Sequence, residues 1–363
     1  MRKGLTLLLV ALLAVTLTVA GCSSNTPAPA GEEKLKVGFI YIGPVGDAGW
    51  TYAHDQGRQY LEKELDVETI IQESVPEDQQ SEKVMKDMID QGAKVIFATS
   101  YGYMDHVVNV AKEYPDIIFL HCSGDKIGDN YANYFGSIEE PRYLSGIVAG
   151  LKTQNDTIGY VAAFDYPEVI RGINAFTLGV RSVNPDAVVK VKWTNTWFDP
   201  AKEKAAAVAL LDEGVDIIAQ HQDTAGPQVA AEERGVWSVG YNTDMSKMAP
   251  KSYMTAPLWN WGMYYVKTVK EIQEGTWKPE AYWGTLKDGF VDLAPLTDIA
   301  PAEAQAAVDK VQDQMKAGTF DVFAGPIKDQ NGKEMVPAGS TVSIGDQLGM
   351  KWFVEGVEGK IGQ

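Results

Sequence analysis

The chain has 363 residues, 45% of them hydrophobic, and carries a formal net charge of −17 at pH 7. Its length suits two domains of ordinary size. A chain this acidic is not expected to bind nucleic acid, because phosphate backbones require basic patches.

Residues 1–21 have the pattern of a secretory signal peptide. Arg2 and Lys3 precede the apolar run Leu5–Val19, which is too short and wrongly flanked to be a membrane-spanning helix. The run ends in VAGC and resembles a bacterial lipobox, in which signal peptidase II cuts before the cysteine, here Cys22, and the cysteine is then acylated. An ordinary small-residue cleavage site beside an incidental cysteine is the alternative.

Residues 22–34 are expected to form a lipidated tether. Ser23–Glu33 reads SSNTPAPAGEE, a composition typical of a flexible linker. A lipid on Cys22 would anchor the protein without spanning the membrane. The sequence therefore predicts an extracytoplasmic lipoprotein held at the cell membrane.

Residues 35–155 alternate short apolar runs with amphipathic stretches. LKVGFIYI is followed by the helix-like WTYAHDQGRQYLEKEL, and VETIIQ, KVIFATS and DIIFLHCS are further strand-like runs between helical segments. This rhythm predicts βαβ units on a parallel sheet, and so an N-terminal α/β lobe. Cys122 lies in the last of these runs, where we expect a buried, inert thiol.

The rhythm restarts in residues 156–280. TIGYVAAF, AVVKVKW and VDIIAQH are strand-like, and the helix before VDIIAQH should begin at the N-cap Asp199, with Pro200 at its first position. We predict an α/β fold of two Rossmann-like lobes with parallel sheets, joined by a hinge. Residues 281–363 are expected to hold the hinge crossover, a helix and a C-terminal extension.

Candidate ligand contacts follow the predicted strands, because ligands of open α/β sheets bind outside the carboxyl ends of the strands. These positions are rich in aromatic side chains and short of cations. They include Tyr41, Tyr103, Trp197, Asp223, Asn242 and Trp259.

The loop GPVGDAGW after the first strand carries no lysine. A phosphate-cradling loop would read G-x-x-x-x-G-K-[ST], or G-x-G-x-x-G with a downstream acid. Here Gly43, Gly46 and Gly49 are spaced G-x-x-G-x-x-G, and Asp47 would repel a phosphate. The loop suits a flat, uncharged ring, which the aromatic face of Trp50 can contact.

Structural roles compete with these assignments. A tryptophan after a strand is commonly a core or lid residue, and Trp50 and Trp197 are favoured only by their location at strand tips of opposite lobes. Asp223 could accept hydrogen bonds from a ligand or cap the helix that begins near Ala225. The histidines lack metal-ligand spacing and no H-E-x-x-H, C-x-x-C or G-x-S-x-G motif occurs, so the sequence predicts a binding protein without a metal or cofactor, and not an enzyme.

The motifs from about Leu35 to Lys316 resemble the basic membrane protein (BMP) family of ABC-transporter substrate-binding lipoproteins. The family's G-x-x-x-D-x-[SG]-[FW]-[NT] is matched by Gly43–Thr51, its aromatic-Asx-Pro-Ala-Lys segment by Trp197–Lys202, and its G-x-D-x-D by Gly240–Asp244. The resemblance implies a type I periplasmic-binding fold and delivery of a purine compound to a permease and its ATPase.

Departures from the family pattern bear on the ligand. In nucleoside-binding members the first acid of G-x-D-x-D and a lysine one strand later hold the ribose, and here these positions are Asn242 and Trp259. The phenylalanines that sandwich the base correspond to Trp50 and Trp197. The resemblance therefore implies a free purine base, adenine or guanine, as in the purine-binding subgroup. The candidate ligand-binding residues are Trp50, Trp197, Asp223, Asn242, Tyr41, Tyr103, Asp47, Thr51 and Trp259.

Other functions stay open at this point. The protein could bind a purine nucleoside or another heterocycle, with Asn242 and Asp244 forming hydrogen bonds to the sugar. It could also be a membrane-tethered sensor that signals to a receptor partner whether ligand is bound. An enzyme is the weakest option, since no catalytic motif supports it.

Overall fold

The computed structural model of the chain describes residues 34–362. The predicted signal peptide and the Cys22 anchor lie outside the described residues. Within them, the predicted alternation of strands and helices is observed from Leu35 onward.

The first part of the described chain repeats a strand and a helix. In chain order its elements are β1 (Leu35–Ile40), α1 (Trp50–Glu64), β2 (Val67–Gln72), α2 (Gln79–Asp90), β3 (Val95–Ala98), α3 (Met104–Glu113), β4 (Ile118–Cys122) and β5 (Tyr131–Gly136). A 3₁₀ turn, Tyr101–Tyr103, precedes α3.

The middle part continues the alternation. Its elements are α4 (Glu139–Lys152), β6 (Thr157–Ala162), α5 (Pro167–Val183), β7 (Val188–Trp193), α6 (Pro200–Asp212), β8 (Ile217–His221), α7 (Gly226–Glu233), β9 (Trp237–Val239) and β10 (Tyr253–Thr255).

The last part is less regular. Its elements are β11 (Pro257–Trp259), α8 (Trp261–Gln273), β12 (Tyr282–Gly284), β13 (Val291–Leu293), α9 (Ala304–Lys316), β14 (Ile327–Lys328), β15 (Glu334–Val336), α10 (Ile344–Leu348) and β16 (Val357–Glu358).

Two six-stranded sheets organise these elements, and the strands of each are parallel. The orders are β12-β5-β4-β3-β1-β2 in the first lobe and β10-β9-β8-β6-β7-β16 in the second. The inner strands β3 and β8 are buried along their whole length, as expected of strands covered by helices on both faces. The predicted α/β fold of two parallel-sheet lobes is confirmed.

The lobe boundaries differ from the prediction in two places. Helix α8 packs against α1, and β12 is an edge strand of the first sheet, so residues 261–284 lie in the first lobe. Helix α4 packs along α5, which places it with the second lobe although residues up to 155 were assigned to the first. The two helices pack closely, because a Cβ added at Gly146 of α4 would lie only 2.2 Å from the carbonyl oxygen of Phe176 in α5. Helical periodicity predicts α4 but does not reveal its partner.

The chain passes between the lobes after β5, at β11 and at β13. Strands β11 and β13 pair antiparallel, forming a two-stranded connection between the lobes. The predicted crossover region, residues 281–363, contains only the third of these connections, at β13. The connections after β5 and at β11 lie earlier in the chain.

The C-terminal extension belongs to the second lobe. Its hairpin β14–β15 precedes α10, and β16 pairs with β7 at the edge of the second sheet. Asn174 of α5 holds the extension through both ends of its amide: Nδ2 donates to the carbonyl of Trp352 at 2.8 Å, and Oδ1 accepts from the backbone N–H of Val354 at 3.0 Å.

Candidate functional site

A slot opens between the lobes at the carboxyl ends of both sheets. Side chains of both lobes line it: Ile42, Trp50, Ser100, Tyr101 and Ser123 from the first, and Glu168, Trp197, His221, Asp223 and Tyr241 from the second. Of the predicted ligand-binding residues, the structure thus brings together Trp50, Trp197 and Asp223.

Trp50 is held rigidly in the first lobe. It is the first residue of α1, and its Nε1 donates to the carbonyl oxygen of Thr99 at 2.7 Å. The rings of His54 and Trp261 lie nearly perpendicular to its ring, at centroid distances of 4.6 Å and 5.3 Å. An indole fixed in this way loses little conformational freedom when a ligand stacks on it.

Asp47 explains why the glycine-rich loop carries an acid. Its carboxylate accepts from the backbone N–H groups of Gly49 and Thr51 at 2.8 Å and of Tyr52 at 2.9 Å, so it satisfies free donors at the start of α1. Burial raises its pKa to about 6, although these backbone donors act in the opposite direction. Asp47 does not line the slot and instead positions Trp50.

Trp197 supplies the second indole, from the loop between β7 and α6. Its ring lies 5.1 Å from Phe164 and 5.8 Å from Tyr166, centroid to centroid. Its buried Nε1 has no hydrogen-bond partner among residues 34–362. This N–H is a candidate donor to a ligand, because buried donors normally find a partner.

The slot is small. Its empty space is about 330 Å³ when the opening to solvent is included, and both indoles line it. A cavity of this size can hold a small ligand.

The lobes touch directly at the rim of the slot. Thr243 Oγ1 donates to the carbonyl of Ala48, and a Cβ at Gly49 would lie 1.9 Å from the carbonyl oxygen of Asp223. Ser123 Oγ donates to Glu168 Oε2 across the lobes at 2.5 Å. The structure is therefore a closed form, in which only glycine fits at position 49.

Asp223 presents an isolated carboxyl group. Burial raises its pKa well above the usual range, and the negative charges of Asp47, Glu203 and Glu168 raise the pKa further. Within the described part of the chain no residue hydrogen bonds to this carboxyl. The alternative role as a helix cap is not observed, because the first N–H of α7 is accepted by Thr224 Oγ1, at 3.1 Å.

Three other predicted residues form internal hydrogen bonds and do not line the slot. Tyr41 donates to Asp55 Oδ1 at 3.3 Å, and Tyr103 donates to the carbonyl of Val75 at 2.5 Å. Thr51 Oγ1 accepts from the N–H of Gly43 at 3.2 Å. These side chains shape the walls behind the slot.

Asn242 and Trp259 also lie behind the slot. Asn242 adopts the left-handed conformation, with φ of 72°, and its Nδ2 donates to the carbonyl of Gln222 at 3.4 Å. Trp259 stacks on Trp261 at 4.4 Å, and its Nε1 donates to the Tyr241 hydroxyl at 3.3 Å. The indole of Trp259 therefore supports Tyr241, which does line the slot.

The prediction missed several wall residues. Tyr103 is the predicted contact, but Tyr101 lines the slot instead. The ring centroid of Tyr101 lies 5.3 Å from that of Tyr166 in the opposite lobe. His221 and Tyr241 stand at predicted strand tips, with ring centroids 4.6 Å apart and the ring planes tilted by 55°, so their position was a usable signal. Glu168 is an ordinary acid in the first turn of α5, and nothing in its sequence context marks it.

A second chamber adjoins the slot and shares Tyr101, Ser123 and Glu168 with it. Its empty space is about 470 Å³ when the opening to solvent is included, and Arg171, Trp283 and Leu348 are among its other walls. The Arg171 guanidinium is fully buried, and its Nε lies 3.2 Å from Glu139 Oε2, but its nitrogens form no hydrogen bond with any described residue.

Neither a metal nor a membrane span is indicated by residues 34–362. Their His, Cys, Asp and Glu side chains form no cluster of three or more that could hold a metal ion. No helix in this range has the length and apolar character needed to cross a membrane.

The sequence matches one family profile, and two relatives named as binding proteins are at least 40% identical to it. The Bmp family profile, described as ABC transporter substrate-binding protein PnrA-like, matches residues 34–321. The purine-binding protein of Brucella abortus strain 2308 is 44% identical over 96% of this chain and 100% of its own length. The putative ABC transporter glucose-binding protein TsgA13 of Haloferax volcanii is 40% identical over 92% of this chain and 83% of its own.

Solved structures agree on the fold. An ABC transporter solute-binding protein from Aeropyrum pernix K1 superposes with a TM-score of 0.71 at 20% identity, covering 80% of this chain and 94% of its own. The predicted periplasmic-binding architecture is confirmed, as is the expectation of a binding protein and not an enzyme. The chain belongs to the Bmp family of PnrA-like ABC-transporter substrate-binding proteins.

Proposed function

We propose that this protein captures a free purine base, adenine or guanine, between Trp50 and Trp197 and delivers it to the permease of an ABC transporter. The observation that carries the proposal is that two indoles from opposite lobes line one small slot. Stacking on aromatic side chains contributes about 1–3 kcal/mol per base in other systems. Two indoles would thus supply part of the roughly 8 kcal/mol that a micromolar affinity requires.

The chemistry of the slot supports an uncharged ring. Among its lining residues the charged types are Glu168 and Asp223, and none is a lysine or arginine. A phosphate would meet only acids and neutral groups there. The relative from Brucella abortus, named a purine-binding protein, supports the same ligand class.

Isothermal titration of adenine, guanine, adenosine and inosine tests the proposal. We expect the free bases to bind more tightly than the nucleosides, and Trp197→Ala to weaken adenine binding by about tenfold or more. Trp237→Ala is the matched control, because Trp237 is half-buried in β9 and packs under Lys152 away from the slot. Normal binding by Trp197→Ala, or tighter binding of nucleosides than of bases, contradicts the proposal.

A purine nucleoside is the second candidate, and the chamber beside the slot favours it. The chamber could receive a sugar, whose hydroxyl groups would accept from the unpaired donors of Arg171. In that case Arg171→Met should weaken adenosine binding and leave adenine binding unchanged. If adenosine does not bind, this candidate is excluded.

We also propose that the protein is an extracytoplasmic lipoprotein anchored through Cys22. The signal-like residues 1–21 and the lipobox-like VAGC support this location. Expressed with its own leader in a bacterial host, the protein should sediment with membranes, and Cys22→Ser should move it to the soluble fraction. Equal sedimentation of both forms contradicts the anchor.

A further inference from the structure

We propose that Asp223 reads the edge of the bound purine as a neutral carboxylic acid, donating its O–H to a ring nitrogen and accepting from the adjacent N–H. The inference rests on the proposed function, since it assumes that a purine occupies the slot. It goes further because it assigns to one residue the discrimination between two bases. Adenine offers a ring nitrogen beside its amino N–H, whereas guanine offers two adjacent N–H donors.

The position of Asp223 suits an edge contact. The residue lines the slot together with both indoles, so a ring stacked between Trp50 and Trp197 would turn an edge towards it. Its side chain is almost fully buried in the closed form, and no residue in 34–362 donates to its carboxyl oxygens. Its carboxyl group has no hydrogen-bond partner in this part of the chain and stays open to the slot, so a ligand there can pair with it.

The surrounding acids are better placed than Asp223 to stay ionised. Asp47, from the first lobe, accepts three backbone N–H groups. Glu203 of α6 accepts from the N–H of Thr224 at 3.0 Å and from its hydroxyl at 2.5 Å. Glu168 accepts from Ser123. Because Asp223 receives no such hydrogen bond, a proton shared among these acids is expected to settle on Asp223.

The nearby cations do not reverse this expectation. Arg142 lies over the ring of Tyr241, at 3.6 Å, and donates to the carbonyl of Gln220, while Arg171 faces Glu139. Burial and both arginines lower the pKa of His221 well below its usual value, so its imidazole is neutral. The charged groups with the largest effect on the pKa of Asp223 are Asp47, Glu203, Glu168 and Glu77, all of them acids.

A neutral carboxyl and a carboxylate prefer different purine edges. The neutral group carries a donor beside an acceptor, and adenine offers a matching ring nitrogen beside its amino N–H. A carboxylate has acceptors only, and matches the adjacent N1–H and amino N–H of guanine. An asparagine has the same donor and acceptor as the neutral acid and pairs with adenine in the same two-bond manner.

Titrations of adenine and guanine into the wild type, Asp223→Asn and Asp223→Ala, at several pH values between 5 and 9, test the inference. We expect Asp223→Asn to bind adenine within about threefold of the wild type and Asp223→Ala to bind it about tenfold or more weakly. The fall in wild-type adenine affinity with rising pH should be smaller in Asp223→Asn. The pH dependence that remains in this variant measures the titration of Asp47, Glu203 and Glu168.

The outcomes separate the two proposals. If Asp223→Asn binds adenine as weakly as Asp223→Ala, or if adenine affinity rises with pH, Asp223 acts as a carboxylate and the inference is wrong. Unchanged binding by Asp223→Ala removes Asp223 from the contact altogether. Neither result contradicts the proposal that a purine binds in the slot. Failure of the wild type to bind any purine refutes the proposed function itself. Thermal unfolding of each variant confirms that it is folded.

Discussion

Replacing Gly49 by alanine should weaken ligand binding by holding the lobes apart. The new Cβ would lie 1.9 Å from the carbonyl oxygen of Asp223, whereas real Cβ atoms essentially never approach a neighbour closer than 3.0 Å. The obstacle is backbone on the opposite lobe, so no side-chain rotation relieves it. The rim must therefore open by at least about 1 Å.

The size of the effect follows from the contact that the ligand loses with the walls of the slot. A gap of 0.5–1 Å forfeits about a quarter to a half of the dispersion attraction between surfaces in contact. If stacking on each indole is worth about 1–3 kcal/mol, an opening of about 1 Å, at one face or shared between both, costs about 0.5–1.5 kcal/mol. The dissociation constant for adenine should rise by about 2- to 12-fold.

Calorimetry on the variant and on a matched control measures this effect. Gly46→Ala lies in the same loop, and its new Cβ would meet no atom within 4 Å, so it should bind adenine as the wild type does. Small-angle scattering with saturating adenine should show a larger radius of gyration for Gly49→Ala than for Gly46→Ala. Equal affinities of the two variants would refute the closed-rim reasoning.

Two further predictions concern stability. Burial raises the pKa of Glu140 from 4.5 to about 7, so this acid binds more protons in the folded than in the unfolded state, and folding stability falls as the pH rises through that interval. In urea unfolding, Glu140→Gln should be more stable than the wild type by roughly 1–2 kcal/mol at pH 8 and equally stable at pH 4. The expected gain is modest because Glu140 is partly exposed to solvent. A larger gain at pH 4 than at pH 8 contradicts the assignment. Asn174→Ala should lower the free energy of unfolding by about 2–4 kcal/mol, because it leaves the carbonyl of Trp352 and the N–H of Val354 unpaired. The control Asn184→Ala removes one side-chain hydrogen bond, to Asp156 at a position open to solvent, and should change the free energy of unfolding less.

The architecture was predictable because buried strands and amphipathic helices differ in period. The start of α6 is an example: Asp199 accepts from the N–H of Lys202 and Pro200 opens the helix, as expected from the sequence. Lobe membership was less predictable. Helix α8 and strand β12 return to the first lobe through contacts that no local pattern encodes.

The site was predictable at the level of strand ends, but not of individual side chains. Successive residues after a strand can point to opposite sides, and after β1 it is Ile42 that lines the slot while Tyr41 turns into the core. The same happens at the 3₁₀ turn, where Tyr101 lines the slot and Tyr103 does not. Sequence position locates a tip, whereas the direction of each side chain depends on backbone geometry.

A crystal structure of the protein grown with adenine tests the central claim most directly. The account predicts one adenine ring between the indoles of Trp50 and Trp197, with an edge towards Asp223. Density for adenine at another place, or a slot that stays empty at saturating adenine, would contradict it.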